Sequence, residues 1–323
     1  VHCLKCDADD NIAYFTAESR KEPVVVSYRG DLATRELLKL GESKWGCFVN
    51  GVSADHSRVV LADQYTVGDV ALYLWTKKRG ARKLFYGVPL EDRAKDEVVP
   101  LNSIGTCHFI RNRGMLVTTA LFSDTFGLGY MDVRAPQDIK PVTVAGTVHT
   151  GVGEFEECYH IAKNRFALKY NIDGCSWLYE GTLDETTLAM NLDTVICGQG
   201  ELANGMLESM SYDKRSKTYA LSFSTATSPT QIYTVGGKDR SKRVRHTGER
   251  VLGLPGEWLS TGEDTSFTSH DGLRVSARLY LPALALKFTG PRPLVYYVHG
   301  GPQGQERPDF AWFSIPLIQF LTL

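Results

Sequence analysis

A glycine-containing segment near the end of the chain carries the residues best suited to chemistry. His299, Gly300, Gly301 and Pro302 directly follow a mostly apolar run at 293–298 (PLVYYV). Adjacent glycines let the backbone turn sharply and bring an N–H close to a bound carbonyl, because no Cβ intervenes. An N–H so placed can stabilise the oxyanion of an acyl-transfer reaction. H-G-G-P by itself is equally compatible with an ordinary tight turn.

A second group of residues, the acidic cluster Glu154, Glu156 and Glu157 (GEFEEC), is a candidate for contacting the end of a substrate. Like charges crowded beside a channel would attract a cationic group. The alternative is the entry of an alternating strand, with the glutamates directed into water. These three residues are predicted as substrate-end candidates, with the solvated strand kept as the alternative.

The seven cysteines are scattered along the chain, which argues against a disulfide framework and for a reducing compartment, so we predict a cytoplasmic protein. Cys3 and Cys6 form a C-x-x-C pair, but no second pair or histidine pair follows at zinc-ligand spacing. A redox pair would need a strand-to-helix context, and this pair precedes a strand. We predict no metal and no cofactor. Cys47, Cys107 and Cys158 are expected to be buried core residues.

The charge balance excludes some classes of partner. There are 36 Lys and Arg residues against 37 Asp and Glu residues, so no nucleic-acid partner is predicted. The basic run 238–245 (KDRSKRVR) is read as a solvated hairpin loop. No stretch reaches the 18 or more apolar residues of a membrane helix, and no secretory signal begins the chain, so no membrane association is predicted.

The elements that position these candidate residues repeat along the chain. Short runs alternate between apolar and polar residues, and they form five groups at 11–40, 46–86, 106–144, 155–197 and 206–247. One aromatic residue marks each repeat, at spacings of 45, 57, 49 and 54 residues: Tyr28, Tyr73, Tyr130, Tyr179 and Tyr233. Four strands per repeat at this length predict the blades of a β-propeller, about five of them. A β-sandwich and an open solenoid are the weaker alternatives.

The last quarter of the chain has a different pattern. Residues 266–282 predict a hairpin that turns at Ser269-His270-Asp271-Gly272, because Asp-Gly between β-rich runs favours a tight turn. The run 293–298 predicts a central strand covered on both faces. Residues 308–323 predict the start of a helix. This order predicts the opening of an α/β domain.

Together these segments resemble the prolyl oligopeptidase family of serine peptidases, in particular its acylaminoacyl-peptidase and dipeptidyl-aminopeptidase-like branch. The residues that carry the resemblance are 267–272 (FTSHDG), 278–282 (RLYLP), 299–302 (HGGP), 303–309 (QGQERPD) and Trp312. The resemblance is specific over 264–323 and architectural over the repeats. It implies a propeller at 1–256 and the N-terminal part of an α/β-hydrolase domain at 257–323.

The resemblance also implies roles for individual residues. The Gly300 N–H corresponds to the oxyanion donor, Gly301 supports the turn, and His299 lies beside the hole without acting as the catalytic base. In this family the nucleophile follows H-G-G-P at a distance, which places it beyond Leu323. No G-x-S-x-G elbow occurs in the 323 residues, so no catalytic residue is assigned.

These observations predict the propeller and the oxyanion side of a serine peptidase that cleaves short or N-acylated peptides. The chain alone is predicted to be inactive, and its partners are the peptide substrate and the missing C-terminal hydrolase segment. Three strands and part of a helix cannot cover both faces of a sheet, so we expect exposed apolar strands that promote association. The alternative is a propeller-based protein-binding module with a vestigial hydrolase segment. The oligomeric state is left open.

Overall fold

The computed structural model describes residues 2–111, 113–251, 253–301, 304–310 and 314–323, with side chains described from residue 5 onward. Its backbone divides into two compact units. The first unit contains Val1–Thr143 and Asp184–Met190, and the second contains Val144–Leu183 and Asn191–Leu323. The predicted domain boundary at residue 256 does not coincide with this division and stays a prediction.

The first unit contains three sets of four antiparallel strands, each of which we call a blade. In each blade, neighbouring strands in the sequence are hydrogen-bonded neighbours in the sheet. Blade 1 has β1 (His2–Asp7), β2 (Ile12–Glu18), β3 (Val25–Asp31) and β4 (Leu37–Ser43). Blade 2 has β5 (Gly46–Val52), β6 (Arg58–Thr66), β7 (Asp69–Thr76) and β8 (Arg82–Tyr86). Blade 3 has β9 (Cys107–Ile110), β10 (Gly114–Thr119), β11 (Gly127–Asp132) and β12 (Ala135–Ala145).

The second unit contains two more blades, a hairpin and a helix. Blade 4 has β13 (Gly153–Ala162), β14 (Arg165–Ile172), β15 (Cys175–Asp184) and β16 (Ala189–Cys197), although the first residues of β16 belong to the first unit. Blade 5 has β17 (Gly205–Asp213), β18 (Thr218–Thr225), β19 (Ser228–Gly236) and β20 (Lys242–Arg245). After them come the two-stranded sheet of β21 (Glu263–Thr268) and β22 (Arg274–Leu279), and the helix α1 (Ser314–Thr322).

The repeat predicted from the tyrosines is confirmed. All five marker tyrosines lie on the third strand of their blades, which are β3, β7, β11, β15 and β19. Blade 1 also has a first strand, β1, that the sequence pattern did not separate from the approach to β2. The C-x-x-C pair lies on this strand. Its alternation is interrupted by a register shift between Cys3 and Lys5, which explains why period two was not visible there.

The hydrophobic cores form between successive blades within each unit. One cluster joins blades 1 and 2 and includes Tyr14, Leu61 and Trp75. A second cluster joins blades 2 and 3, and a third joins blades 4 and 5. The expected burial of Cys47, Cys107 and Cys158 is confirmed. No helix among the described residues has the length and apolar composition required to cross a bilayer.

The predicted hairpin and terminal helix of the last quarter are confirmed, but the prediction of a central strand is wrong. Residues 293–298 form no strand, and Leu294 is 80% exposed. The physical reason is the lack of a partner, since a strand that is apolar on both faces needs a hydrogen-bonding neighbour. The strands β21 and β22 pair with each other in a two-stranded sheet, and no described strand pairs with 293–298.

The exposed apolar run at 294–298 is expected to promote self-association of the chain. Replacing Leu294 and Val298 together by serine is therefore expected to lower the weight-average mass measured by sedimentation or light scattering. Val98→Ser is the control, because Val98 is also strongly exposed but lies outside the run. An equal effect from the control, or none from the double variant, would contradict the prediction.

The cysteines provide a test of the core. Burial raises the pKa of the Cys47 thiol to about 11 and those of Cys107 and Cys197 to about 12. These thiols stay protonated at pH 8, so they react slowly with thiol reagents. Among the described cysteines Cys6 alone is exposed. In a Cys3→Ser chain, mass spectrometry after brief labelling is expected to find one modified site, Cys6, and fast labelling of Cys107 would refute the burial.

Candidate functional site

The candidate site lies at one end of the blade 4 sheet. At this end β13 begins at Gly153, directly opposite Ile172 at the end of β14. The turn that leads into β15 at Cys175 lies at the same end. The acidic cluster is therefore next to this turn, because Glu154 pairs with Asn171 across the two strands.

Arg307 connects the last quarter of the chain to this end of blade 4. Its Nη1 donates to Glu156 Oε1 at 2.6 Å, and its Nε donates to the Gly174 carbonyl at 2.9 Å. Its Nη2 donates to Ser176 Oγ at 2.9 Å. The arginine side chain is 10% exposed, so each of its three guanidinium nitrogens donates a hydrogen bond in a largely water-free position. Arg307 therefore fixes the segment that follows H-G-G-P against blade 4.

Neighbouring residues of the 304–310 segment add two further contacts. Asn171 Nδ2 donates to Gln305 Oε1 at 2.7 Å, and Ser224 Oγ donates to Asp309 Oδ1 at 3.0 Å. Ser224 lies on β18, so the segment contacts blade 5 as well as blade 4. The segment is positioned by side-chain hydrogen bonds from both blades of the second unit.

The terminal helix is attached by one buried glutamine. Gln319 Nε2 donates to the carbonyls of Ala226 and Ser260, each at 2.7 Å, and its Oε1 accepts from the Ser260 N–H at 2.8 Å. Gln319 is 3% exposed, so its amide satisfies backbone groups that would otherwise be buried without partners. The β18–β19 turn and the start of the last quarter are thereby held to α1.

The hairpin contacts blade 4 through its second strand. Arg274 Nη2 lies 3.5 Å from Asp173 Oδ1, in the β14–β15 turn. Arg278 Nη1 pairs with Asp264 Oδ1 at 2.5 Å and lies 3.8 Å from the Cys175 sulfur. The hairpin, the 304–310 segment and α1 all contact turns that follow the second strands of blades 4 and 5.

The three predicted glutamates have different environments. Glu154 and Glu157 are exposed, as the alternative of a solvated strand entry expects. Glu156 is the extra residue of a β-bulge, and its side chain is 20% exposed. Its carboxylate binds Arg307, and its Oε2 lies 3.3 Å from Lys169 Nζ. The role of these residues at a substrate end stays a prediction, and Glu156 has protein cations as partners.

Of the predicted oxyanion residues, Gly300 and Gly301 are exposed and His299 is half-buried. His299, Gly300 and Gly301 lie outside any strand, and His299 Nδ1 donates to the Gly300 carbonyl at 2.7 Å. Apart from its chain neighbours, no described residue has an atom within 4 Å of the position that a Cβ on Gly300 would occupy. The assignment of Gly300 as a donor stays a prediction. Pro302, Gln303 and Trp312, which also carry the resemblance, lie outside the described residues.

Sequence reasoning missed the residues that attach the site to the blades. Arg307 was noted as part of the QGQERPD segment, with no role assigned to it. The only signal in the sequence was a cation placed a few residues after H-G-G-P. Its partner Glu156 is 151 positions away, a pairing that no local pattern reveals.

One group of side chains in the described part of the chain has atoms close enough to hold a metal ion. These are Asp7, Asp10 and His56, in the first unit. The sequence-based prediction of no metal rests on Cys3 and Cys6 alone. Their spacing in the sequence gave no signal, because His56 belongs to a different blade.

Comparison with known proteins finds similarity in structure alone. No protein-family model and no curated protein matches the sequence. A prolyl endopeptidase matches with a TM-score of 0.61 at 13% identity, over 87% of this chain and 40% of its own. Oligopeptidase B from Leishmania major matches with a TM-score of 0.57 at 11% identity, over 87% of this chain and 38% of its own. A puromycin hydrolase matches with a TM-score of 0.57 at 12% identity, over 87% of this chain and 42% of its own.

These structures define the class of fold. The chain is mainly β, and its four-stranded blades match the propeller-bearing structures of the prolyl oligopeptidase family. The fold class predicted from the repeat is thereby confirmed. The chain spans about two fifths of the length of the structures it matches.

Arg307→Met is expected to destabilise the second unit by about 2–4 kcal/mol, because it leaves Glu156 without its main partner in a largely buried position. Urea unfolding measures the free energy, and hydrogen exchange at 304–310 locates the change. The double variant Arg307→Met, Glu156→Gln is expected to recover part of the loss, since it removes the unpaired charge. If the losses in free energy of unfolding from Arg307→Met and Glu156→Gln sum to the loss in the double variant, the contact between the two side chains contributes nothing.

Proposed function

We propose that this chain forms the propeller and the oxyanion side of a serine peptidase that cleaves short or N-acylated peptides by acyl transfer. One observation carries the proposal. The Arg307–Glu156 contact brings the segment after H-G-G-P to the strand that carries the acidic cluster, although the two are 151 residues apart. The segment that follows the candidate oxyanion turn and the candidate substrate-end residues thus meet on one blade.

The proposed chemistry needs a backbone donor aimed at the oxygen on which negative charge develops. The Gly300 N–H would serve, because the absence of a Cβ allows a substrate carbonyl to approach closely. The described residues around Gly300 leave room for such a ligand. In another hydrolase the loss of one such donor costs about 2.7–4 kcal/mol of transition-state stabilisation.

The acidic cluster would contact the opposite end of the substrate. Glu154 and Glu157 keep exposed carboxylates, and Glu156 between them is engaged by Arg307 and Lys169. The two exposed carboxylates favour a substrate with a cationic end, such as a free α-amino group. An N-acylated substrate gains nothing from this pair. A comparison of free and acylated forms of one peptide therefore separates the two substrate types.

The nucleophile and its base belong, in this proposal, to protein that follows the H-G-G-P segment outside these 323 residues. The chain alone is then expected to show no turnover. A fluorophosphonate probe, which reacts with activated serines, is expected to label the complete protein and to leave this chain unlabelled. Labelling of neither would favour the alternative of a protein-binding propeller.

Gly300 offers a test with a matched control in the complete protein. Gly300→Pro removes the N–H and is expected to lower kcat by about 100–1,000-fold, as loss of one oxyanion donor does elsewhere. Gly300→Ala keeps the N–H and adds a Cβ in open space, so it is expected to change kcat little. Steady-state kinetics on a chromogenic peptide amide measures both, and equal activity of the two variants would refute the role of Gly300.

A further inference from the structure

The turn that joins β1 to β2 and the turn that joins β5 to β6 bring three potential metal ligands together. His56 Nε2 lies 3.2 Å from Asp10 Oδ2 and 3.6 Å from Asp7 Oδ2. All three ligand atoms lie within 4.8 Å of one another. The two aspartates are in blade 1 and the histidine is in blade 2, so any shared ligand would join the two blades.

The histidine provides the independent observation that points to a ligand. Its side chain is 6% exposed, and its buried Nε2 makes no hydrogen bond. Both carboxylates are within ion-pair distance, yet neither lies where the ring N–H would have to point for a hydrogen bond. A metal ion bound to the ring nitrogen would lie in the space between that nitrogen and the carboxylate oxygens. The oxygens therefore need not lie along the direction in which the ring nitrogen points. The orphaned nitrogen and the flanking oxygens fit that arrangement.

The distances favour a particular coordination geometry. Zinc binds histidine nitrogen and carboxylate oxygen at about 2.0–2.2 Å, and a tetrahedral angle then separates ligand atoms by roughly 3.4 Å. The observed separations of 3.2 and 3.6 Å lie on either side of this value. Calcium prefers six to eight oxygen ligands, so a buried imidazole argues against it. The two carboxylates carry negative charge that a divalent cation would neutralise, and a neutral imidazole adds none.

The residues around the cluster hold the ligands in place. Tyr14 OH lies 3.0 Å from His56 Nδ1, and this bond holds the orientation of the ring. When Nδ1 donates to Tyr14, Nε2 presents a lone pair to the cluster, as in most metal-bound histidines. The Asp10 N–H donates to Asp7 Oδ1 at 3.4 Å, which leaves Asp7 Oδ2 for the ligand.

The turn that carries His56 is also rigid. Asp55 accepts hydrogen bonds from the hydroxyls of Ser53 at 2.6 Å and Ser57 at 2.7 Å. Its carboxylate is therefore occupied and is not a further ligand. His56 itself has a φ of 53°, an unfavourable conformation for a residue with a side chain. The bonds made by Ser53 and Asp55 hold the backbone in that conformation.

We propose that Asp7, Asp10 and His56 form a zinc site of the three-ligand type, with water in the fourth position. The exposed side of Asp10, whose side chain is 57% exposed, gives the ion access from solvent. Bound zinc would join the first hairpin turn of blade 1 to the first hairpin turn of blade 2. The site does not depend on the proposed peptidase activity, and it is tested without any substrate.

The test uses the chain with Cys3→Ser and Cys6→Ser, so that thiolates do not compete for the metal. After removal of metals with a chelator, calorimetric titration with Zn²⁺ is expected to show one site per chain. Cobalt in the same site is expected to give the visible absorption of tetrahedral Co²⁺ without a thiolate charge-transfer band. Zinc is also expected to raise the Tm, because it binds the folded chain in preference to the unfolded one.

The variants identify the ligands. His56→Gln and Asp10→Asn are each expected to weaken zinc binding by more than about 100-fold, since loss of a direct ligand costs more than loss of its supporting partner. Tyr14→Phe removes only that supporting hydroxyl and is expected to weaken binding by about 10–100-fold. Asp9→Asn and His246→Gln are matched controls outside the cluster and are expected to bind zinc unchanged.

Asp10 is largely exposed, so Asp10→Asn is expected to fold normally even if substitutions at the buried His56 do not. Circular dichroism of the metal-free variants checks this. No zinc binding by the Cys3→Ser, Cys6→Ser chain would overturn the proposal and leave the histidine as an ordinary neighbour of the two carboxylates. Undiminished binding by Asp10→Asn and His56→Gln would overturn it as well, and would place the metal elsewhere.

Discussion

The structure depends on the burial of apolar faces between successive four-stranded blades. A single blade exposes two faces and cannot cover either one by itself, so each blade needs a neighbour. The cores reflect this need, because each of the three hydrophobic clusters among the described residues draws on two blades that follow one another. Tyr14, for example, is on β2 of blade 1 and packs with Leu61 on β6 of blade 2.

This arrangement leaves function to the ends of the strands. The central residues of each strand are committed to packing, whereas the turns carry polar groups that packing does not use. Both candidate sites follow this rule. Arg307 binds the turn between β14 and β15 and the start of β13. The proposed zinc ligands are Asp7 at the end of β1 and Asp10 and His56 in the first hairpin turns of blades 1 and 2.

The two sites satisfy buried charge in different ways. Glu156 has two protein cations beside it, so its charge is balanced within the fold. His56 has acidic neighbours but no hydrogen bond at Nε2, the atom to which the proposed zinc would bind. Buried polar groups without partners are costly, which makes the unsatisfied nitrogen informative. The same rule explains Gln319, whose amide satisfies backbone groups on two segments.

The apolar run at 293–298 shows where sequence patterns are ambiguous. Its composition is that of a strand covered on both faces, and the hairpin and helix predicted on either side of it are present. Composition reports what a segment would gain from burial, and it does not report whether a partner strand is available. In this structure no described strand pairs with it, and its side chains face solvent.

The sequence by itself determined the repeat, the position of the strands in each blade and the hairpin turn at 269–272. These features depend on residues near one another in the chain, through alternation, turn chemistry and spacing. The tertiary structure alone decided that Arg307 binds Glu156 and that His56 approaches Asp7 and Asp10. The physical reason is that such contacts join residues far apart in sequence, which come together only when blade packing fixes the ends of the strands.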